Sequence, residues 1–226
     1  MKRNKTSKAW LHRHLTDPYV RQARDEGYRS RAAFKLLEIV GRDHLLKPGM
    51  TVVDLGAAPG GWSQAVAAAI GVTGRVIAVD LIELAPVAGV TFIRGDFRAP
   101  AVRAELETRL AGGRPDLVLS DISPNLTGVA VTDQTRVIAL AEAALEFAVQ
   151  CLKPDGAFLV KVFHGEEFEA FVRRMRRSFA TVHKRKPKAS RNSSSEVYVL
   201  GLRPLAAAEV AREPLTAPPA RCDSPG

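Results

Sequence analysis

The sequence predicts an α/β protein, a mostly parallel seven-stranded sheet with helices on both faces. Three observations carry that expectation. Short runs of Val, Ile and Leu alternate with helical stretches over most of the chain, the pattern of a parallel sheet covered by helices. The run Ala157–Phe163 has the composition of a strand buried on both faces. The last two strands have no helix between them, so one of them is expected to run antiparallel.

Residues 1–31 come first, weakly apolar and basic. Between Lys2 and Arg31 there are nine Lys and Arg against three acids, with Trp10 and Tyr19 interleaved. The expectation is a mobile arm that contacts RNA and leads into a helix. Ser30 is placed to cap that helix, which runs from Ala32 to Val40. Gly41 and then Lys47-Pro48-Gly49 end it and turn the chain. TVVDL (51–55) is a strand, 60–70 a helix and RVIAVD (75–80) a strand. VTFIRGD (90–96) is the third strand, followed by helix 99–110. DLVLSD (116–121) precedes helix 133–152, and AFLVKVF (157–163) precedes helix 166–178. ATVHKR (180–185) and EVYVLGL (196–202) close the sheet. Residues 204–226 contain five prolines and many alanines and read as a disordered tail. The folded domain is thus expected over 32–203.

Composition narrows the classes of partner. The chain has 33 Lys and Arg against 24 Asp and Glu, a net charge of +9 and a pI near 9.9. That balance points to an anionic partner, nucleic acid first. No apolar run approaches the ~20 residues of a membrane span. The basic N-terminus lacks the apolar core of a signal peptide. Cys151 and Cys222 are the only cysteines, one at a helix end and one in the tail, so neither a disulfide nor a zinc site is expected. A cytoplasmic, monomeric protein fits these features.

DLGAAPGGWSQ (Asp54–Gln64) connects the first strand to its helix, at the carboxyl end where open parallel sheets bind ligands. Gly56, Gly60 and Gly61 allow a sharp turn and close approach to a ligand. A dinucleotide is the rival occupant, but Pro59 interrupts the loop and the nested glycine amides that cradle a pyrophosphate are missing. Asp80, ending the second strand, is placed to accept both ribose hydroxyls of an adenosine, although a helix cap would use an acid there too. Asp96, after the third strand, can accept from an adenine amino group. Together with Asp54 these acids describe a pocket for adenosine without phosphates, which means S-adenosyl-L-methionine.

Lys161 lies in the apolar strand 157–163, where an ammonium costs several kcal/mol unless paired. It either snorkels out of the open end of the strand or serves a site. SDISPN (Ser120–Asn125) ends the neighbouring strand and brings Asp121 to the same edge. SDISPN is not the Asp/Asn-Pro-Pro-aromatic loop of amino methylation, and neither cysteine is near enough to attack a pyrimidine. A hydroxyl acceptor needs only alignment and loss of its proton, which lysines and carboxylates can provide.

SRAAFKLLEI, DLGAAPGGWSQ, SDISPN, VKVFHG and SRNSSSEVYVLG occur in that order across residues 17–203. The chain resembles the FtsJ/RlmE-type ribosomal RNA 2′-O-methyltransferases. The resemblance implies a Rossmann-like S-adenosylmethionine-dependent methyltransferase fold. It also implies a catalytic tetrad of Lys35, Asp121, Lys161 and Glu196, and a cofactor site at Gly60, Trp62, Asp80, Asp96 and Asp121, with no metal. Its substrate would be a uridine of 23S ribosomal RNA within the large ribosomal subunit. Pattern alone would not have chosen two of these residues. On a helical wheel Ala33, Leu37 and Val40 share a face and Lys35 falls nearly opposite, as a solvated residue. Glu196 would pass as a surface acid at a strand start. Whether Lys161 is a neutral base or a charged group that orients the hydroxyl stays open at this stage. So do transfer RNA as substrate and a non-catalytic role in ribosome assembly.

Two basic runs flank the expected tetrad. Arg13, Arg21, Arg24, Arg29 and Arg31 precede Lys35, and Lys184, Arg185, Lys186, Lys188 and Arg191 precede Glu196. Both are expected to contact phosphates around an extruded nucleotide.

Overall fold

The computed structural model describes residues 16–123, 130–191 and 194–206. The elements are α1 (Pro18–Asp25), α2 (Ala32–Asp43), β1 (Thr51–Leu55), α3 (Gly61–Ile70), β2 (Arg75–Asp80), β3 (Val90–Arg94) and α4 (Pro100–Leu110). They continue with β4 (Leu117–Ser120), α5 (Ala130–Cys151), β5 (Ala157–Phe163), α6 (Phe168–Ser178), β6 (Phe179–Arg185) and β7 (Glu196–Pro204).

The seven strands form one sheet in the order β3-β2-β1-β4-β5-β7-β6. β7 runs antiparallel to both β5 and β6, and every other pairing is parallel, as the missing helix between the last two strands implied. The chain winds outward from β1 to β3, then returns to place β4 on the other side of β1. That reversal opens a crevice beyond the carboxyl ends of β1 and β4. The glycine loop after β1 and Asp121 after β4 both lie there.

The two faces carry separate cores. Leu36 and Ile39 of α2 pack with Trp62, Val66 and Ile70 of α3 against Val52, Leu119, Leu159 and Tyr198. On the other face, α4, α5 and α6 supply Leu106, Ile138, Leu145, Phe171 and Met175 to cover Val53, Val118, Val160 and Val199. β5, the strand with Lys161, is buried over all but its last residue.

Several boundaries depart from the sequence expectation, among them β3, which ends at Arg94 rather than Asp96, and α5, which begins at Ala130 rather than Asp133. α2 passes through Gly41 and ends at His44, whose backbone is left-handed at φ 51. Val40 and Leu45 are both buried, so packing carries the helix past a residue of low helix propensity. The segment expected as a mobile arm also contains α1. Asp17 caps it by accepting from the Tyr19 amide at 3.1 Å, and Pro18 occupies the first turn. β7 extends to Pro204, two residues beyond the expected end. Residues 1–15 of the arm and 207–226 of the tail lie outside the described residues.

Gly201 lies in β7 opposite Phe158 of β5 and Val182 of β6. A Cβ there would stand 2.6 Å from two ring atoms of Phe179 and 3.0 Å from Met175 Cε. Both neighbours are fully buried and have nowhere to move. Gly201→Ala should therefore lose roughly 1–3 kcal/mol of stability. Calorimetry would show a melting temperature several degrees lower, and an unchanged one would contradict this packing.

Candidate active site

Lys161 does not snorkel. Only 7% of its side chain is exposed, and Nζ lies 3.0 Å from Asp121 Oδ1. Nζ also donates to the backbone carbonyl of Asp121 at 2.8 Å. The parallel register that pairs Ser120 with Val160 sets these two residues side by side. Tyr198 lies across from Lys161 in the antiparallel pairing of β5 and β7, and its hydroxyl donates to the same Asp121 Oδ1 at 3.1 Å. Burial first, then the charges of Asp121 and Glu196, raise the Tyr198 pKa well above its usual value. The phenol therefore keeps its proton and stays a donor.

Glu196 opens β7 and is 7% exposed. Its Oε1 accepts from Ser190 Oγ at 2.6 Å and pairs with Lys35 Nζ at 2.6 Å. Burial pushes this carboxyl up, but Lys35, Ser190 and the charge of Lys161 together hold it below the usual range. The four predicted catalytic residues thus form two ion pairs, Lys161–Asp121 and Lys35–Glu196, at one edge of the sheet. The helical-wheel reading of Lys35 is corrected. The buried residues of α2 are Ala33, Leu36, Ile39 and Val40. Lys35 is four residues from Ile39, about 40° away around the helix, so it flanks the buried stripe.

The glycine loop turns as expected, with φ of +77° at Gly56 and +104° at Gly60. The close approach it permits is made by protein. A Cβ at Gly56 would stand 2.5 Å from Ile122 Cγ1, and one at Gly60 would stand 2.8 Å from Leu84 Cδ1. Asp80 braces this loop: Oδ2 accepts from the Ala58 amide and Oδ1 from the Ile82 amide, both at 2.8 Å. Each oxygen keeps a second lone pair. Leu81 and Ile82 beside it are 65% and 68% exposed. Asp96 is bound by Arg98, at 3.0 Å from Nε and 2.7 Å from Nη2, which holds its carboxyl below the usual range. Trp62 turns its indole into the core, donating to Ala32 O at 2.8 Å, so it faces the crevice only through its backbone at the start of α3.

Asp54 is the least solvated of the acids. It is wholly buried, and Ser63 Oγ donates to Oδ2 at 2.6 Å. Oδ1 has no hydrogen-bond partner among the described residues. A glycine loop ringed by acids, one of them with an orphaned oxygen, suits a cationic ligand rich in hydroxyls and amines and repels phosphates.

A family model described as FtsJ-like methyltransferase matches residues 28–204. The chain belongs to this family. Two curated relatives bear the name "Ribosomal RNA large subunit methyltransferase E". The proteins from Nitrosospira multiformis and from an Azoarcus species are each 60% identical over 202 residues, 89% of this chain and 98% of theirs. Among solved structures, a candidate ribosomal RNA methyltransferase from Plasmodium falciparum superposes with a TM-score of 0.71 at 26% identity. The alignment covers 79% of this chain and 99% of that one.

Several parts of this FtsJ-like site were not legible in the sequence. Tyr198 reads as a core aromatic because its hydroxyl partner is 77 residues away. Arg31 pairs with Asp17 and donates to Ala189 O, and Arg191 Nε is 3.4 Å from the same carboxylate. This cluster ties α1, the start of α2 and the loop before β7 together, next to Ser190 and Glu196. The basic runs are thus partly spent on the fold. Arg185 is bidentate to Asp43, Lys184 pairs with Glu169, and Arg29 donates to Ala85 O and Pro86 O. Arg21, Arg24 and Lys188 are exposed, with no ion pair among the described residues.

Burial first, with the nearby charges of Asp121 and Asp80, raises the Asp54 pKa from 3.8 to about 7 despite the Ser63 hydrogen bond. An acid that holds its proton more tightly when folded contributes stability that is full below its unfolded value. That contribution is lost as pH rises through about 7. Asp54→Asn, which can still accept from Ser63, should flatten stability against pH between about 4 and 8. Urea titrations of both proteins across that range test it, and parallel pH profiles would refute it.

Proposed function

We propose that this enzyme transfers a methyl group from S-adenosyl-L-methionine to a ribose 2′-hydroxyl, that of a uridine in 23S ribosomal RNA of the large subunit. The observation that carries this reading is the pair of lysine–carboxylate contacts at the carboxyl edge of the sheet, beside the glycine loop. The names borne by the 60%-identical relatives support the RNA class. The half-buried Cys151, its thiol pushed up to about 12 by burial, offers no nucleophile for base chemistry. Among the described residues no His, Cys, Asp and Glu cluster suits a metal, and no helix is long and apolar enough to cross a membrane.

The cofactor, when bound, supplies a methyl on a positively charged sulfur that leaves as a neutral thioether. The free lone pairs of Asp80 would accept the ribose hydroxyls, and Asp96 the adenine amino group. Leu81 and Ile82 offer apolar surface to the base. The backbone at Gly60 and Trp62, with Asp121, would hold the remainder of the cofactor, and the Asp54 carboxyl suits its cationic end.

On the acceptor side, Lys161 Nζ has three positions for hydrogen bonding, and Asp121 occupies two of them. The third is left for the substrate hydroxyl. Used as a lone pair it removes the hydroxyl proton; used as an N–H it turns an oxygen lone pair toward the methyl. Asp121 is placed to balance the ammonium that Lys161 holds in one case and forms in the other, and Lys35 keeps Glu196 in place.

Methyl transfer to large ribosomal subunits from cells lacking the gene tests this function. Lys161→Ala should fold, bind cofactor and lose at least ~10²-fold in turnover, the scale of a positioned acid–base group. Lys161→Arg should fail as well if proton removal is the role, because a guanidinium keeps its proton. Near-normal turnover in the arginine variant would mean a fixed charge, and normal turnover in the alanine variant would remove Lys161 from the mechanism.

Affinity for the RNA should fall steeply with salt, because the exposed cations meet phosphates. Removing the charges of Arg21, Arg24 and Lys188 together should lower the slope of log affinity against log salt by up to about 3 and leave cofactor binding intact. A slope equal to the wild type's would clear these residues of phosphate contact.

A further inference from the structure

Phe163 is the last residue of β5, two positions after Lys161 and therefore on the same face of the sheet. It lies opposite Glu196 in the β5–β7 register. Its ring centroid is 6.0 Å from Lys161 Nζ. The other six residues of β5 are buried, whereas Phe163 is half-buried and belongs to none of the apolar clusters of the two faces. The next residue, His164, turns away, its ring packing 4.4 Å from that of Phe168, which lies in the core on the opposite face. An aromatic ring is thus left partly uncovered on the rim of the tetrad, where it adds nothing to either core.

We propose that Phe163 is the stacking platform for the base of the nucleotide whose ribose is methylated. The inference rests on the RNA methyl-transfer reading above and adds what holds the acceptor. A 2′-oxygen about 3 Å from Nζ puts the attached base within reach of the roughly 4.5–7 Å centroid separations of stacked rings. The acceptor ribose has to leave its helix to enter the crevice, and an extruded base loses its stacking partners. A phenyl ring replaces one of them. It offers no hydrogen bond to the base edge, which fits a reaction on the sugar that needs the base held but no base atom activated. Stacking of this kind tolerates any base, so Phe163 supplies position, and selection of the nucleotide falls to contacts elsewhere.

The test compares wild type, Phe163→Leu and Phe163→Tyr with large ribosomal subunits from cells lacking the gene. Leucine keeps apolar bulk but has no ring face. It should lower kcat/KM for subunits at least about fivefold, mainly through KM, with cofactor affinity and melting temperature unchanged. Tyrosine should retain near wild-type values. p-Benzoylphenylalanine placed at position 163 should cross-link on illumination to the nucleotide that carries the methyl group. An active wild type with an equally active leucine variant would overturn this inference alone, as would cross-links mapping only elsewhere in the RNA. Loss of kcat/KM accompanied by a fall in melting temperature would reassign Phe163 to structure. A wild type inactive on subunits and cross-linking to no RNA would sink the functional reading and the platform together.

Discussion

Two lysine–carboxylate pairs held away from water at one edge of the sheet set the terms for much of this structure. A buried ion pair is stable only if its geometry is good and its remaining hydrogen-bonding positions are filled. Here they are filled from many directions. Asp121 takes Lys161 through both its side chain and its backbone carbonyl, and Tyr198 adds a phenolic hydrogen bond. Glu196 takes Lys35 and the Ser190 hydroxyl. Strands β4, β5 and β7 and helix α2 must all be in register for these contacts to form. The antiparallel β7 therefore has a direct consequence for the site: it brings Glu196 and Tyr198 to the edge that the parallel strands already face.

A second constraint runs along the other side of the crevice. The glycine loop is fixed by its surroundings as much as by its own conformational freedom. Ile122 fills the space at Gly56, Leu84 that at Gly60, and Asp80 receives the Ala58 amide. The segment before α2 is stitched over the same loop. Arg29 reaches Ala85 O and Pro86 O, while Gln64 exchanges hydrogen bonds with the backbone of Gly27 and Arg29. One stretch of chain thus borders the loop through Arg29 and the start of α2 through Arg31. Preorganisation of this kind lets a site bind and align two substrates without ordering itself first.

The charge of the chain divides into two uses. Some cations serve the fold: Arg31 and Arg191 converge on Asp17, and Arg185 grips Asp43. Others, such as Arg21, Arg24 and Lys188, stay exposed. A count of basic residues predicts an anionic partner and overstates how many residues can meet it, because ion pairing within the fold is set by contacts between distant segments.

By itself the sequence determined the order and kind of nearly every strand and helix, the parallel sheet with one reversed strand, and the positions of the glycine loop and acids at strand ends. These are local properties, written in apolar runs, glycines and prolines that act within a few residues. The motifs named Lys35 and Glu196 through family resemblance, but helical periodicity assigned the first to solvent and its place at a strand start assigned the second there. Only the tertiary structure decided their burial, because Lys35 flanks the apolar stripe of α2 and meets a carboxylate 161 residues later. It also decided that Tyr198 bonds to Asp121, that Trp62 faces the core and that Asp54 is cut off from water. Each of these depends on which segments the sheet sets side by side, and no local pattern records that.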